Sequence, residues 1–208
     1  MNDKFFQLPA QKQKRILNAA YKVFAQSPYK KASMSLIAYE SGVSKSLLFY
    51  YFKNKQDLYL YLWIQAIEMT RKTIQAYKTL ETDDFFEMLR RSLRSKCALM
   101  KEHPYLYAFS LQAYYETEPS IQNLIQDQFH MLSQSSEAIV FERIDRTRFR
   151  KKIDLRKMYQ EILYAMDGYM LSQFRSDPIV PNKIEKEIMD LIEFWETIYY
   201  QKENENGA

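Results

Sequence analysis

Lys45, Ser46, Tyr50, Tyr51 and Lys55 place two ammonium groups and three hydroxyls within one short stretch of chain, a set suited to a polyanion. Lysine pairs with phosphate or with guanine O6 and N7, and tyrosine hydroxyls donate to phosphate oxygens. Leu47 between them either touches a thymine methyl or packs inward. Such side chains act together only if one element presents them. The run from Ala38 to Lys55 has the spacing for that element, a helix-turn-helix. Ala38 is small where a second helix must cross closely. Gly42 stands where the chain needs positive φ to leave the first helix. Val43 plugs the turn, Ser44 is a good N-cap, and Leu48 lies one turn inside the following helix. In such a motif the N-terminal part of the second helix faces the base edges of the major groove.

Charge supports this placement. Residues 1–55 hold ten Lys/Arg against two acids, a net +8, whereas the other 153 residues carry 20 basic and 24 acidic groups, a net −4. Positive charge collected on one unit is the electrostatic signature of phosphate binding.

The 208 residues, 47% apolar and 27% charged, suit one or two globular domains, and only 3 glycines and 6 prolines favour long helices. Helix one is expected from near Pro9 to Gln26, with Ile16, Leu17, Ala20, Val23 and Phe24 on its apolar face. Ser33 should cap helix two without a capping box, because Leu36 occupies N3. Helix three is expected from about Lys45 to Tyr51, with Phe49 and Phe52 in the core. Asn54 caps a long fourth helix, and Asp57 adds favourable charge to its first turn. Further helices are expected from about Asp84 to Lys101, from Tyr105 to Tyr115 and onward from Pro119, with a basic loop around Arg146 to Lys152. Two periodic helices close the chain. Leu155, Met158, Ile162, Met166 and Tyr169 lie on one, and Ile184, Ile188, Leu191, Trp195 and Ile198 on the other, joined by a turn from Asp177 to Asn182. No strand or repeat signal is present.

Ile16-Leu17-Asn18-Ala19-Ala20, Val23-Phe24, Ser41-Gly42-Val43-Ser44 and Leu48-Phe49-Tyr50-Tyr51-Phe52-Lys53-Asn54-Lys55 together resemble the TetR family of bacterial transcriptional regulators over residues 10–62. Two positions depart from the family pattern: Ser46-Leu47 stands where a small pair such as Gly-Thr is common, and Pro28 where a glycine is. The resemblance implies an all-α fold of about nine helices. Residues 1–54 would form a three-helix DNA-binding domain, 55–202 a helical ligand-binding and dimerisation domain, and 203–208 a disordered tail. It implies contacts to double-stranded DNA from Ser33, Ser44, Lys45, Ser46, Leu47, Tyr50, Tyr51 and Lys55 on a two-fold symmetric operator. Dimerisation falls to the last two helices, through Ile162, Ala165, Tyr169, Ile188, Leu191 and Trp195, with Gly168 also permitting close approach.

The 17 Tyr, 13 Phe and 10 Met make an apolar or aromatic effector the natural one for such a domain. Trp63, Met100, Tyr107, Leu111, Tyr114, Tyr115, Phe129 and Met166 are the lining that the resemblance implies. Glu116 is expected at the solvated surface.

Other chemistries fit poorly. His103 and His130 lie 27 residues apart without a cysteine pair, so no metal is expected. No glycine-rich phosphate loop or nucleophile elbow occurs, so neither a cofactor nor catalysis is expected. Lone Cys97 reads as a small buried hydrophobe. The N-terminus lacks a signal-peptide core and no segment is apolar enough for a membrane, which predicts a cytoplasmic protein without membrane contact. The rival reading is a helical protein-interaction module in which DNA binding is accessory and no small molecule acts.

Overall fold

Ser27-Pro28, Gly42 and Phe52 end the first three helices, and the caps that follow start the next ones. Helix α1 (Ala10–Gln26) starts behind Pro9, whose ring presets the turn. Helix α2 (Met34–Ser41) begins at Ser33 and stops at Gly42, which holds φ 64°. Helix α3 (Lys45–Tyr51) begins at Ser44. The structure, a computed structural model, describes residues 2–174 and 178–201, with side chains for all of these except 132–136. The expected tail and Asp177 of the last turn lie outside the described residues.

Six more α-helices follow: α4 (Lys55–Ala76), α5 (Phe85–Glu102), α6 (Leu106–Tyr114), α7 (Pro119–Arg143), α8 (Leu155–Phe174) and α9 (Pro181–Tyr199). Among the described residues there is no strand; Phe149 and Tyr200 form one isolated antiparallel bridge. Among the described residues the all-α expectation of about nine helices holds, and each boundary falls within about two residues of its expected place. A short 3-10 turn, Asp3–Phe5, was not foreseen.

The chain forms two compact units, residues 1–70 with 100–134 and residues 71–99 with 135–208. In the first, α1 packs chiefly on α6 and α2. Phe24, Tyr59 and Phe109 meet ring to ring at 4.8–6.2 Å, and the Tyr21 hydroxyl donates to the Leu62 carbonyl at 3.0 Å. Phe5 is fully buried against Phe52, at 4.9 Å between ring centres. Burying each such ring contributes about 1.5–3 kcal/mol.

In the second unit, Phe86, Phe149 and Tyr200 form an aromatic corner, with rings 4.8 and 4.9 Å apart. The Tyr200 hydroxyl donates to Asp84 Oδ1 and accepts from the Phe85 amide. Helices α8 and α9 turn Met158, Ile162, Met166, Ile184, Ile188, Ile192 and Trp195 inward. This revises the expected interface. Ile162, Ile188 and Trp195 are interior residues of their own chain, because the i, i+3, i+4 stripe of each helix fills the core of this unit. Leu191 and Tyr169 are half-buried, and Tyr169 donates to Glu187 at 2.5 Å. Of the expected interface set, only Ala165 is exposed. The outward apolar residues are different ones: Tyr164 at 74% exposure, Phe194 at 58%, and Leu163, Leu171 and Ile198. Gly168 faces open space.

Candidate nucleic-acid interface

Three caps build the presenting turn. Ser33 Oγ accepts from the Leu36 amide at 3.3 Å, Ser44 Oγ from the Leu47 amide at 3.1 Å, and Asn54 Oδ1 from the Asp57 amide at 2.7 Å. Each satisfies an orphan donor of a first helical turn. The Gly42 amide donates to Ala38 and Tyr39 carbonyls, and the Val43 amide to Ala38, as a left-handed C-cap requires. Arg15 lies over this turn, its guanidinium carbon 3.6 Å from where a Gly42 Cβ would stand.

Helix α3 then divides into two faces. Leu48 and Tyr51 point inward and Phe52 follows them into the core, while Lys45, Ser46, Phe49 and Tyr50 are exposed and Leu47 is half-buried. Ser44 and Ser46 hydroxyls lie 3.1 Å apart. Of the paired tyrosines, Tyr50 is 53% exposed and Tyr51 only 5%. Tyr51 therefore packs, with its ring 5.9 Å from Phe5 and its carbonyl accepting from Asn2 N. Phe49, expected in the core, is on the surface instead.

Lys55 is committed elsewhere. Its Nζ donates to the carbonyls of Tyr29, Lys30 and Ala32 at 2.7, 3.2 and 3.3 Å and stands 4.5 Å from the centre of the Tyr29 ring. An ammonium has three protons, and all three are used. The α1–α2 loop is held from its other side by Glu116. That carboxylate, expected in solvent, is buried; it accepts from Tyr29 N at 2.7 Å and from Thr117 N and Glu118 N. Lys30 pairs with Glu118 at 3.1 Å. A charged residue between two polar neighbours gives no sequence signal of such burial.

Lys14, Lys22 and Lys30 form ion pairs. Lys4, Lys12, Arg15, Lys31, Lys45 and Lys53 have no carboxylate within 4 Å among the described residues, so most of the basic excess remains available to an anion. Sequence reasoning passed over Arg15 and Tyr39, the latter 81% exposed on α2. The signal for Arg15 was its position off the apolar stripe of α1, and for Tyr39 its place beside, rather than on, the buried set Met34, Ile37 and Ala38 of α2.

Seven of the residues expected to line an effector site lie in the first unit and Met166 in the second. Within the first, Trp63 is buried and donates to Gln128 at 2.8 Å, Met100 is buried, and Thr70 donates to the Tyr107 hydroxyl at 3.4 Å. Tyr114 packs against Phe129 with the rings tilted and their centres 4.3 Å apart, and meets Tyr115 edge-on at 4.9 Å. Leu111 is half-buried and Tyr115 exposed.

Residues 16–62 match the N-terminal domain of the bacterial regulatory proteins of the tetR family. The HTH-type transcriptional regulator RutR of Escherichia coli K12 is 30% identical over 95 residues, which cover 45% of this chain and 43% of RutR. An uncharacterized HTH-type regulator, YhgD of Bacillus subtilis, is 32% identical over 93 residues, 44% of this chain and 48% of that protein. The chain thus aligns with about half the length of these curated relatives or less. The similarity in fold is wider. A TetR family regulator from Chloroflexus aurantiacus superposes with a TM-score of 0.63 at 20% identity, covering 97% of this chain and 99% of its own. The fatty acid degradation regulator FadR of Bacillus halodurans does so at 0.61 and 18% identity, over 88% and 95%. The chain is thus similar to the tetR family of bacterial regulatory proteins in sequence over residues 16–62, and to TetR family regulators in its all-helical fold over nearly its whole length.

Proposed function

We propose that the chain is a repressor that binds a two-fold symmetric operator as a homodimer in the cytoplasm and leaves it when a small, largely apolar or aromatic molecule binds. The observation that carries the DNA half is the exposed face of α3. Ser44, Lys45, Ser46 and Tyr50 are turned outward from a helix whose other face is locked into the core. In this reading Lys45 and Ser46 reach base edges and Tyr50, Ser33 and Arg15 reach phosphates. One such module binds weakly, so two copies engage half-sites about 34–36 Å apart or a multiple of it. The outward residues of α8 and α9, above all Tyr164 and Phe194, supply the pairing surface.

The grip on the α1–α2 loop supports release by an effector. Glu116 and Glu118, between α6 and α7, and Lys55, at the start of α4, hold the residues that lead into α2. A ligand that displaces α6 or α7 through the Tyr114–Phe129 cluster moves this loop and, with it, the angle of α3. Converting a mostly bound population to a mostly free one requires about 10⁴-fold differential affinity, about 5.5 kcal/mol.

Selection of duplexes from random DNA by the purified chain tests the DNA half. An enriched inverted repeat is expected. Failure to retain any duplex at low ionic strength overturns it. Screening apolar and aromatic compounds for release of the selected duplex then tests the effector half.

A further inference from the structure

A second basic surface stands apart in sequence from the DNA-reading helices. Five of the seven residues 146–152 are Arg or Lys and none is acidic. They border a cleft of about 500 Å³, open to solvent, lined by Arg146, Arg150, Lys151 and Lys152 over an apolar floor of Phe149, Ile153 and Leu155.

This loop is a fixed part of its unit. Arg150 N donates to the Tyr199 carbonyl and Gln201 N to that of Arg148, both at 2.9 Å, while the Gln201 side chain donates to Phe149 and Thr147 carbonyls. Arg150 donates to the Tyr200 and Thr197 carbonyls and Arg146 to that of Phe141. Both guanidiniums are thereby oriented by neutral acceptors, and each keeps further N–H donors and its full charge. Lys151 and Lys152 are exposed and have no partner among the described residues. Arg148, by contrast, is neutralised by Asp83, Asp84 and Asp145.

Lys152 also holds φ 74°, a conformation that glycine adopts freely and lysine does not. A strained residue kept at the lip of a cleft is a marker of a site.

We propose that this cleft binds the polyphosphate group of a small anion. Four cations within one cleft call for several negative charges on one ligand; a single carboxylate would leave most of them unbalanced. Oriented guanidiniums fit phosphate oxygens in pairs, and lysines add point charges. The volume accommodates a mononucleotide-sized molecule, and the apolar floor suits a ring attached to the phosphates.

Titration calorimetry of the full chain with inorganic tripolyphosphate at low salt tests this, with Lys45→Ala and the double variant Lys151→Ala/Lys152→Gly alongside. Glycine at 152 relieves the backbone strain, so the double variant keeps its fold, which thermal unfolding verifies. One tripolyphosphate per chain is expected, weakened about ten-fold or more in the double variant and unaltered in Lys45→Ala. Tighter binding of ATP than of tripolyphosphate identifies a nucleotide as the source, and equal binding identifies the phosphate chain itself. No binding by the parent, an unaltered double variant, or loss only in Lys45→Ala overturns the proposal. So does a double variant that loses duplex DNA while still holding tripolyphosphate.

Discussion

Lys55→Met separates a lysine that shapes the DNA-binding unit from one that touches DNA. Methionine keeps most of the stem and removes the ammonium that bonds three carbonyls of the α1–α2 loop. The 2.7 Å bond to the half-buried Tyr29 carbonyl is charge-assisted and worth about 1.5–3 kcal/mol. The bonds at 3.2 and 3.3 Å are partly replaceable by water, and the contact over the Tyr29 ring adds about 0.5–1 kcal/mol. A net loss of about 2–4 kcal/mol follows, which lowers Tm by about 5–15 °C for a chain of this size.

The counterpart is Lys45→Ala, exposed at the start of α3 with no ion-pair partner among the described residues. It should leave Tm nearly unaltered and reduce the slope of log K against log salt by up to about 0.9, because an ammonium at the base edges still displaces a counterion from the flanking phosphates. Duplex binding followed by fluorescence anisotropy over a salt series, well below the variant's Tm, reads the slope. Lys55→Met should preserve it. If Lys55→Met instead melts like the parent while its slope falls by about 0.9, Lys55 is a phosphate ligand and the clamp reasoning is wrong.

Gly42→Ala should cost about 1–2 kcal/mol in denaturant unfolding, because φ 64° is strained for any residue with a Cβ while Arg15 at 3.6 Å offers only ordinary contact. Tyr50→Phe should weaken duplex binding about 3- to 10-fold, the worth of one hydroxyl bond, and Tyr51→Phe should not, as anisotropy will show. In light scattering, Phe194→Asp should yield monomers. Ile162→Ala should stay dimeric yet lose about 2–4 kcal/mol of stability, since it empties interior volume. His103 is buried, and burial, aided by the charge of Lys14, pushes its pKa below the usual value of about 6.5. The neutral ring donates from Nδ1 to Asn18 Oδ1 at 2.6 Å, as the Asn18 amide nitrogen already donates to the Glu102 carbonyl. Its contribution is complete above pH 6.5 and lost as pH falls through the lowered folded value. Unfolding free energy should therefore drop as pH falls below about 6.5, and less so in His103→Gln.

The helices and caps were legible because their causes are local. Ser33, Ser44 and Asn54 accept the amides their cap positions dictate, and Gly42 takes the positive φ its place in the turn requires. The grip on the α1–α2 loop was not legible, because its partners are far apart in sequence: Glu116 reaches Tyr29 across 87 positions and Lys55 reaches it across 26. Nothing in the neighbours of Glu116 distinguishes a buried carboxylate that collects three amides from a solvated one. Phe5 was hidden for the same reason, since its partners Phe52 and Tyr61 come much later in the chain.

Periodicity has a limit of a different kind in α3, α8 and α9. A repeat of three and four identifies the apolar face of a helix but not what covers it. On α8 and α9 the strongest stripe is spent on the chain's own interior, because one continuous core must be closed before any surface is left for a partner. In the proposed dimer the pairing surface comes from the flanking positions, where Tyr164 and Phe194 are the most exposed large apolar residues of these two helices. The same geometry decides between Tyr50 and Tyr51. Successive helical residues lie about 100° apart, so once Leu48 is fixed in the core its neighbour at i+3 must follow it inward and the residue at i+2 must face out. One fully buried leucine thus assigns the two tyrosines, Tyr51 to packing and Tyr50 to the exposed face of α3.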